Sequence, residues 1–233
     1  AEKKGIDPKD IFVVSVMPCT AKKFERTREG YSVDGLCDID AALTTRELAK
    51  MIKRAGLNFN ALPDEDFDPI FGGATGAGHI FGASGGVMEA ALRSAHYLIT
   101  GSNPDPDAYK IVRSENGDLP WREAEINIGG VNVRAAVASG LGNARKLIEA
   151  LKAGKVKYDF VEIMACPGGC SGGGGQIIHD GQELAYLRGK TLYVDDANDT
   201  MRFSHENPDV LKAYETFLEK PLSHKAHELL HTD

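Results

Sequence analysis

The chain has 233 residues, 42% of them hydrophobic and 26% charged, which fits a globular fold of one large domain or two lobes. A net charge of −7 argues against nucleic acid or an anionic membrane surface as partner, since both reward Lys and Arg. No apolar run approaches the roughly 18–20 residues of a membrane span, and the cysteines Cys19, Cys37, Cys166 and Cys170 are too few for a disulfide scaffold of this length.

The opening AEKKGID carries no Met, so a segment upstream is expected and the lack of a secretory signal excludes no compartment. Residues 11–17 (IFVVSVM) form a β-branched apolar run that predicts a buried strand, ended by Pro18. Thr44 and Thr45 precede RELAKMIKRAGL, whose apolar positions recur at helical spacing up to Gly56, so a capped helix is expected. Residues 63–70 read as a polar, proline-bounded connector. The glycine-rich GGATGAGHIFGASGG follows, then the helix VMEAALRSAHYLITG. Residues 121–138 alternate as two strands around Gly129-Gly130, a hairpin signal. LGNARKLIEALKAGK predicts an amphipathic helix, YDFVEIMAC a second buried strand, and the tail two short helices near 208–219 and 223–231. This alternation points to an α/β fold with a sheet covered on both faces.

Both strands end in cysteine: Met17-Pro18-Cys19 and Met164-Ala165-Cys166. Ligands gather at the carboxyl ends of strands in such folds, so the two junctions can face one pocket. The second continues as MACPGGCSGGGGQ, with Cys166 and Cys170 four apart on a loop whose glycines let backbone wrap closely around a bulky object. Exposed N–H groups in such a loop suit an anionic cluster, and three soft thiolates favour iron–sulfur clusters, zinc or copper. Free core thiols beside an ordinary glycine loop are the plain alternative. At the first junction, MPCTAKKFE, one helical turn would align Cys19, Lys22 and Glu25 on one side. Alone, Lys22 and Glu25 read as a solvated surface pair.

MPCTAKKFE and MACPGGCSGGGGQ resemble two of the three cluster-binding signatures of FeFe (iron-only) hydrogenases. TTRELAKMI, GAGHIFGASGGVMEAALR and the closing SHKAHELLHT are similar to that family as well, so the likeness runs over essentially the whole chain. The resemblance implies an α/β, two-lobed catalytic domain, its sheets flanked by helices and the cluster between the lobes. Residues 1–233 would be the C-terminal portion of that domain. The implied cofactor is the H-cluster, a 4Fe-4S cubane joined through a cysteine sulfur to a di-iron unit with CO, cyanide and azadithiolate. Cys19, Cys166 and Cys170 would ligate the cubane, with Cys170 bridging to the di-iron unit. Lys22 would hydrogen-bond a cyanide, Glu25 would serve the proton path, and Met17 and Met164 would pack against the di-iron unit. Pro18, Phe81 and Gly82 would line the pocket.

The third signature, TSCCP in relatives, is absent and is expected on an upstream segment or a partner chain supplying the fourth ligand. Cys37, in an acidic loop, reads as incidental. Where relatives have proline after the glutamine of the glycine loop, this chain has Ile177. Electron partners implied by the resemblance are ferredoxin or an NAD-linked subunit, in the cytoplasm of an anaerobic bacterium.

Three lures are set aside. His227-Glu228-Leu229-Leu230-His231 matches a zinc-protease pattern but lacks a third ligand on a short terminal helix. Gly189-Lys190-Thr191 lacks the phosphate-loop glycine at Leu184, and Gly76-Ala77-Gly78 lacks the dinucleotide glycine at Phe81. The closer rival is a non-catalytic relative that keeps cluster cysteines for iron–sulfur assembly or sensing. Retention of Met17, Lys22, Glu25 and Met164 favours the enzyme.

Overall fold

The computed structural model describes residues 1, 4–68, 72–113 and 120–231. In chain order the elements are β1 (Val14–Met17), α1 (Lys22–Glu25), β2 (Ser32–Val33), β3 (Leu36–Cys37), β4 (Ala41–Thr44) and α2 (Thr45–Arg54). Then come α3 (Gly76–His79), α4 (Gly86–Thr100), β5 (Arg122–Ile128), β6 (Val131–Ser139), α5 (Leu141–Lys152) and β7 (Phe160–Met164). The last are α6 (Ala185–Asn198), α7 (Pro208–Ala213) and α8 (His224–Leu230).

The fold is α/β, but its strands form small separate sheets rather than one continuous covered sheet. β1 pairs in parallel with β4, Val14 opposite Ala41 and Met17 opposite Thr44. β2 and β3 make a short hairpin. β5 and β6 are antiparallel, and β6 pairs in parallel with β7 through the α5 crossover. The hairpin turn is Gly129-Gly130, with φ of +57° and +91°, the mirror-type turn that two glycines permit.

The β5-β6-β7 sheet is covered on both faces because β6 alternates its small side chains between them. Ala135 and Val137 face a cluster with Met88 and Leu92 of α4, while Ala136 and Ala138 face Trp121 and Leu147 of α5. The β1-β4 sheet differs. Val14, Val16 and Met17 are 45%, 46% and 39% exposed, so the first strand is not the buried one its apolar run predicts. It is also shorter, starting at Val14. With one neighbour of four residues, its faces lack the layers that cover β6. β7 is likewise half-covered, and its most buried residue is Glu162.

α2 begins as its sequence dictates. Thr44 Oγ1 accepts from Glu47 N–H at 3.2 Å and Glu47 answers on Thr44 N–H at 2.8 Å, a reciprocal cap. Gly56 follows its last turn at φ +68°, as a helix stop. The connector over 63–68 has no regular structure; residues 69–70 lie outside the described residues. The glycine-rich segment forms α3 and a tighter turn, Ile80–Gly82. α6 has no counterpart among the expected elements, because Gly189, Asp195 and Asp196 interrupt the helical signal.

A buried ionic cluster ties α4 to α6. Arg93, Glu89 and Asp196 are each fully buried, with Arg93 donating to Glu89 at 2.7 Å and to Asp196 at 2.8 Å. Such a pairing specifies one helix arrangement more than it adds net stability, because both charges were well hydrated in the unfolded chain.

Candidate metal centre

The first strand-to-cysteine junction meets the glycine loop that continues the second. The Pro18 carbonyl accepts from the Gly175 amide at 2.9 Å, linking the residue before Cys19 to the loop that follows Cys170. A β-carbon on Gly173 would stand 2.8 Å from the Pro18 carbonyl carbon, and one on Gly175 2.9 Å from it. Side chains at Gly172, Gly173 and Gly175 would run into packed atoms of Pro167, Pro18 and Thr44, whereas one at Gly174 would meet only the Thr20 side chain at 3.2 Å.

The same loop is held from the other sheet. Ser84 N–H donates to Gly168 O at 3.1 Å, and a β-carbon on Gly169, whose φ is +89°, would stand 2.6 Å from Ser84 N and 2.9 Å from Gly82 O. Ser139 Oγ, at the end of β6, donates to Cys166 O at 3.3 Å and accepts from Gly168 N–H at 2.6 Å. Behind it, buried Glu162 accepts from Gly85 and Met88 amides at 2.6 and 2.8 Å. That carboxylate caps α4, whose own first residues offer no side-chain cap.

Electrostatics report the same convergence. Burial pushes the Cys170 thiol up, the neighbouring Cys166 and Cys19 sulfurs push the same way, and the Lys22 ammonium opposes them. Cys166, Cys19 and Lys22 therefore all lie close enough to act on Cys170. Lys22 and Glu25 are ion-paired on α1, half-exposed rather than freely solvated, and Tyr31 Oη donates to Glu25 Oε1 at 3.3 Å. The hydrogen bond from Lys22 holds the Glu25 carboxyl below its ordinary value, with burial opposing; the same bond raises Lys22.

Cys19, Lys22 and Glu25 line one cavity of about 380 Å³, and Pro18, Gly82 and Cys170 line another of about 350 Å³. Phe81, beside Gly82, is 45% exposed. Met17 ends β1 and half-buried Met164 ends β7, its carbonyl accepting from Gly140 N–H at 2.8 Å. Cys37 lies elsewhere, exposed on the β2-β3 hairpin. A further cavity of about 580 Å³, with no cysteine in its lining, lies against Pro167, Gly168, Arg122 and Tyr193.

Two residues that hold this loop are not among those the sequence singles out. Arg46 donates to Gly174 O at 2.8 Å, and Arg188 to Ile177 O at 2.6 Å. Arg46 stands within TTRELAKMI, a segment that carries the family resemblance; no spacing or composition marks Arg188.

Among the described residues, no three His, Cys, Asp or Glu side chains close around a single metal ion. A tetrahedral zinc site would require sulfurs about 3.8 Å apart, from Zn–S bonds near 2.3 Å. A cluster several atoms across takes its thiolates from a wider ring. Three soft thiols on turns that meet through backbone contact suit such a group in donor chemistry.

Residues 1–174 match the model of the iron only hydrogenase large subunit, C-terminal domain, and residues 182–233 match that of the iron hydrogenase small subunit. The chain belongs to the iron-only hydrogenase family. Over its full 233 residues it is 48% identical to the NADP-reducing hydrogenase subunit HndD of Solidesulfovibrio fructosivorans, covering 39% of that protein. It superposes with a TM-score of 0.81 on a solved variant of the [FeFe]-hydrogenase HydA1 of Chlamydomonas reinhardtii, at 41% identity, covering all of this chain and 65% of that one. A cytosolic Fe-S cluster assembly factor of Xenopus tropicalis is 33% identical over 239 residues, 100% of this chain and 49% of that protein. The chain thus spans less than two thirds of each of these relatives. Among the described residues no helix is long and apolar enough to cross a membrane.

Proposed function

We propose that this chain is the C-terminal portion, residues 1–233, of the catalytic domain of an FeFe hydrogenase. It would interconvert two protons and two electrons with dihydrogen. The observation that carries the reading is the backbone contact between Pro18 and Gly175, which brings the Cys19 turn and the Cys166–Cys170 loop together beside Lys22 and Glu25.

Cys19, Cys166 and Cys170 would hold the cubane of the H-cluster, and an upstream segment or partner chain would supply the remaining cysteines. When bound, the H-cluster supplies the iron chemistry that joins protons and electrons. Lys22 would donate a hydrogen bond to an anionic ligand of the group, for which its raised pKa keeps it cationic at any physiological pH. Glu25, reaching Lys22 and the half-exposed Tyr31, would accept a proton from solvent and pass it inward. Met17, Met164, Pro18, Phe81 and Gly82 would exclude water around the reacting centre. Electrons would come from ferredoxin or an NAD-linked subunit, in the cytoplasm of an anaerobic bacterium.

Likeness over the whole chain to an Fe-S assembly factor favours a second reading, a non-catalytic cluster protein. Hydrogen evolution from a reduced low-potential donor, by the protein loaded with iron and sulfide and matured with the di-iron unit, separates the two. Turnover that is lost in Lys22→Ala supports the hydrogenase. A fully loaded protein that evolves no hydrogen defeats that reading.

A further inference from the structure

The loop bearing Cys170 is caught at its exit by a residue of α6. The Arg188 guanidinium donates through Nη2 to Ile177 O at 2.6 Å and through Nη1 to Ser171 O at 3.3 Å. These carbonyls stand on either side of the glycine run, so one planar group spans it from the residue after Cys170 to the residue after Gln176. The same side chain lines the cavity shared by Cys170, Pro18 and Gly82. α6 also packs directly on the loop: β-carbons on Gly168 and Gly172 would stand 2.6 and 2.9 Å from that of Ala185, one turn before Arg188.

We propose that Arg188 is a positioning residue for the metal centre, fixing the path of the 171–177 loop and thereby the place of the Cys170 sulfur. The proposal rests on the reading of Cys170 as a cluster ligand. It also assigns a task to the segment 182–233, which matches a model separate from the one that covers the cysteines. A guanidinium fits because its donors form a rigid fork that reaches two acceptors in one rotamer. An ammonium keeps the charge but is a compact point that satisfies neither geometry as well. Arg188→Lys therefore separates placement from charge.

The first measurement is hydrogen exchange on the metal-free full chain. Losing a charged-donor bond across the loop speeds exchange of the Gly172, Gly173 and Gly175 amides about tenfold in Arg188→Lys and in Arg188→Met, while β6 amides keep their protection. After loading with ferrous iron and sulfide, both variants release iron to a chelator about tenfold faster. The electron paramagnetic resonance spectrum of their reduced cluster also shifts from that of the unsubstituted protein. Wild-type exchange at 171–177 in Arg188→Lys overturns the proposal. So does a normal Arg188→Lys beside an altered Arg188→Met, which would leave charge alone as the role. Should the unsubstituted chain take up no iron and sulfide, the cluster reading fails, and the exchange comparison still decides whether Arg188 holds the loop.

Discussion

Replacing Gly173 by alanine tests the contact on which the proposed metal centre depends. Gly173 has φ −62° and ψ 146°, a conformation alanine adopts freely, so backbone strain plays no part. Restricting the unfolded chain would by itself stabilise by roughly 0.4–1 kcal/mol. Against this, the new β-carbon would lie 2.8 Å from the Pro18 carbonyl carbon, with backbone on both sides and no flexible side chain to yield. Forcing a methyl into packed structure costs roughly 1–3 kcal/mol, and such a close approach sits at the upper end. Pushing Pro18 away also strains the Gly175–Pro18 hydrogen bond, worth about 1 kcal/mol. The net loss is about 3 kcal/mol, roughly 150-fold in the folded-to-unfolded ratio, read as a lower urea midpoint at unchanged slope. Iron and sulfide uptake falls with it, since Cys19 and Cys170 are moved apart. Gly142→Ala is the control: it lies in α5 with open space around its β-carbon, and should gain about 0.5–1 kcal/mol. A Gly173→Ala protein as stable as the parent, with full uptake, would show that the two cysteine turns are not in backbone contact.

Cys170→Ala should abolish hydrogen turnover and di-iron retention, whereas Cys37→Ser should leave both unchanged; iron, sulfide and hydrogen assays distinguish them, and near-normal turnover in Cys170→Ala would defeat the assignment. Glu25→Gln removes the acceptor that Lys22 and Tyr31 share, and hydrogen evolution should drop by about 100-fold with a flattened pH profile. Burial pushes the Asp196 carboxyl up, but hydrogen bonds from Arg93 and Arg202 outweigh it and hold it at about 2, from an ordinary 3.8. Its folded pKa is depressed, so its contribution of about 2 kcal/mol is present above pH 3.8 and lost as pH falls through 2. Urea midpoints between pH 5 and 2 should show that loss. Asp196→Asn, which leaves Arg93 without a charged partner on α6, should unfold more easily at neutral pH and lose the slope.

Much of the site was legible because its chemistry is local. Cysteines delivered by strand ends, a helical turn carrying Lys22 and Glu25, and a glycine loop are properties of a few consecutive residues, and they read directly from the chain. The helix caps, the Gly129-Gly130 hairpin and the α4 and α5 stripes were visible for the same reason: each depends on neighbours no more than a few residues away. Burial was not legible. IFVVSVM has the composition of a core strand, yet β1 pairs only with β4 and stands open, because covering a strand requires layers that lie far off in sequence. Arg188 and Ser139 belong to the same class. Their side chains meet the cysteine loop only after α6 and β6 have packed around it, and nothing in their own neighbourhoods distinguishes them from ordinary surface and strand-end residues. Which cysteines are candidate donors was therefore a matter of sequence. The approach of the Cys19 turn to the glycine loop after Cys170 was decided by tertiary structure, because hydrogen bonds and van der Waals contact act over a few ångströms while Pro18 and Gly175 are separated by most of the chain.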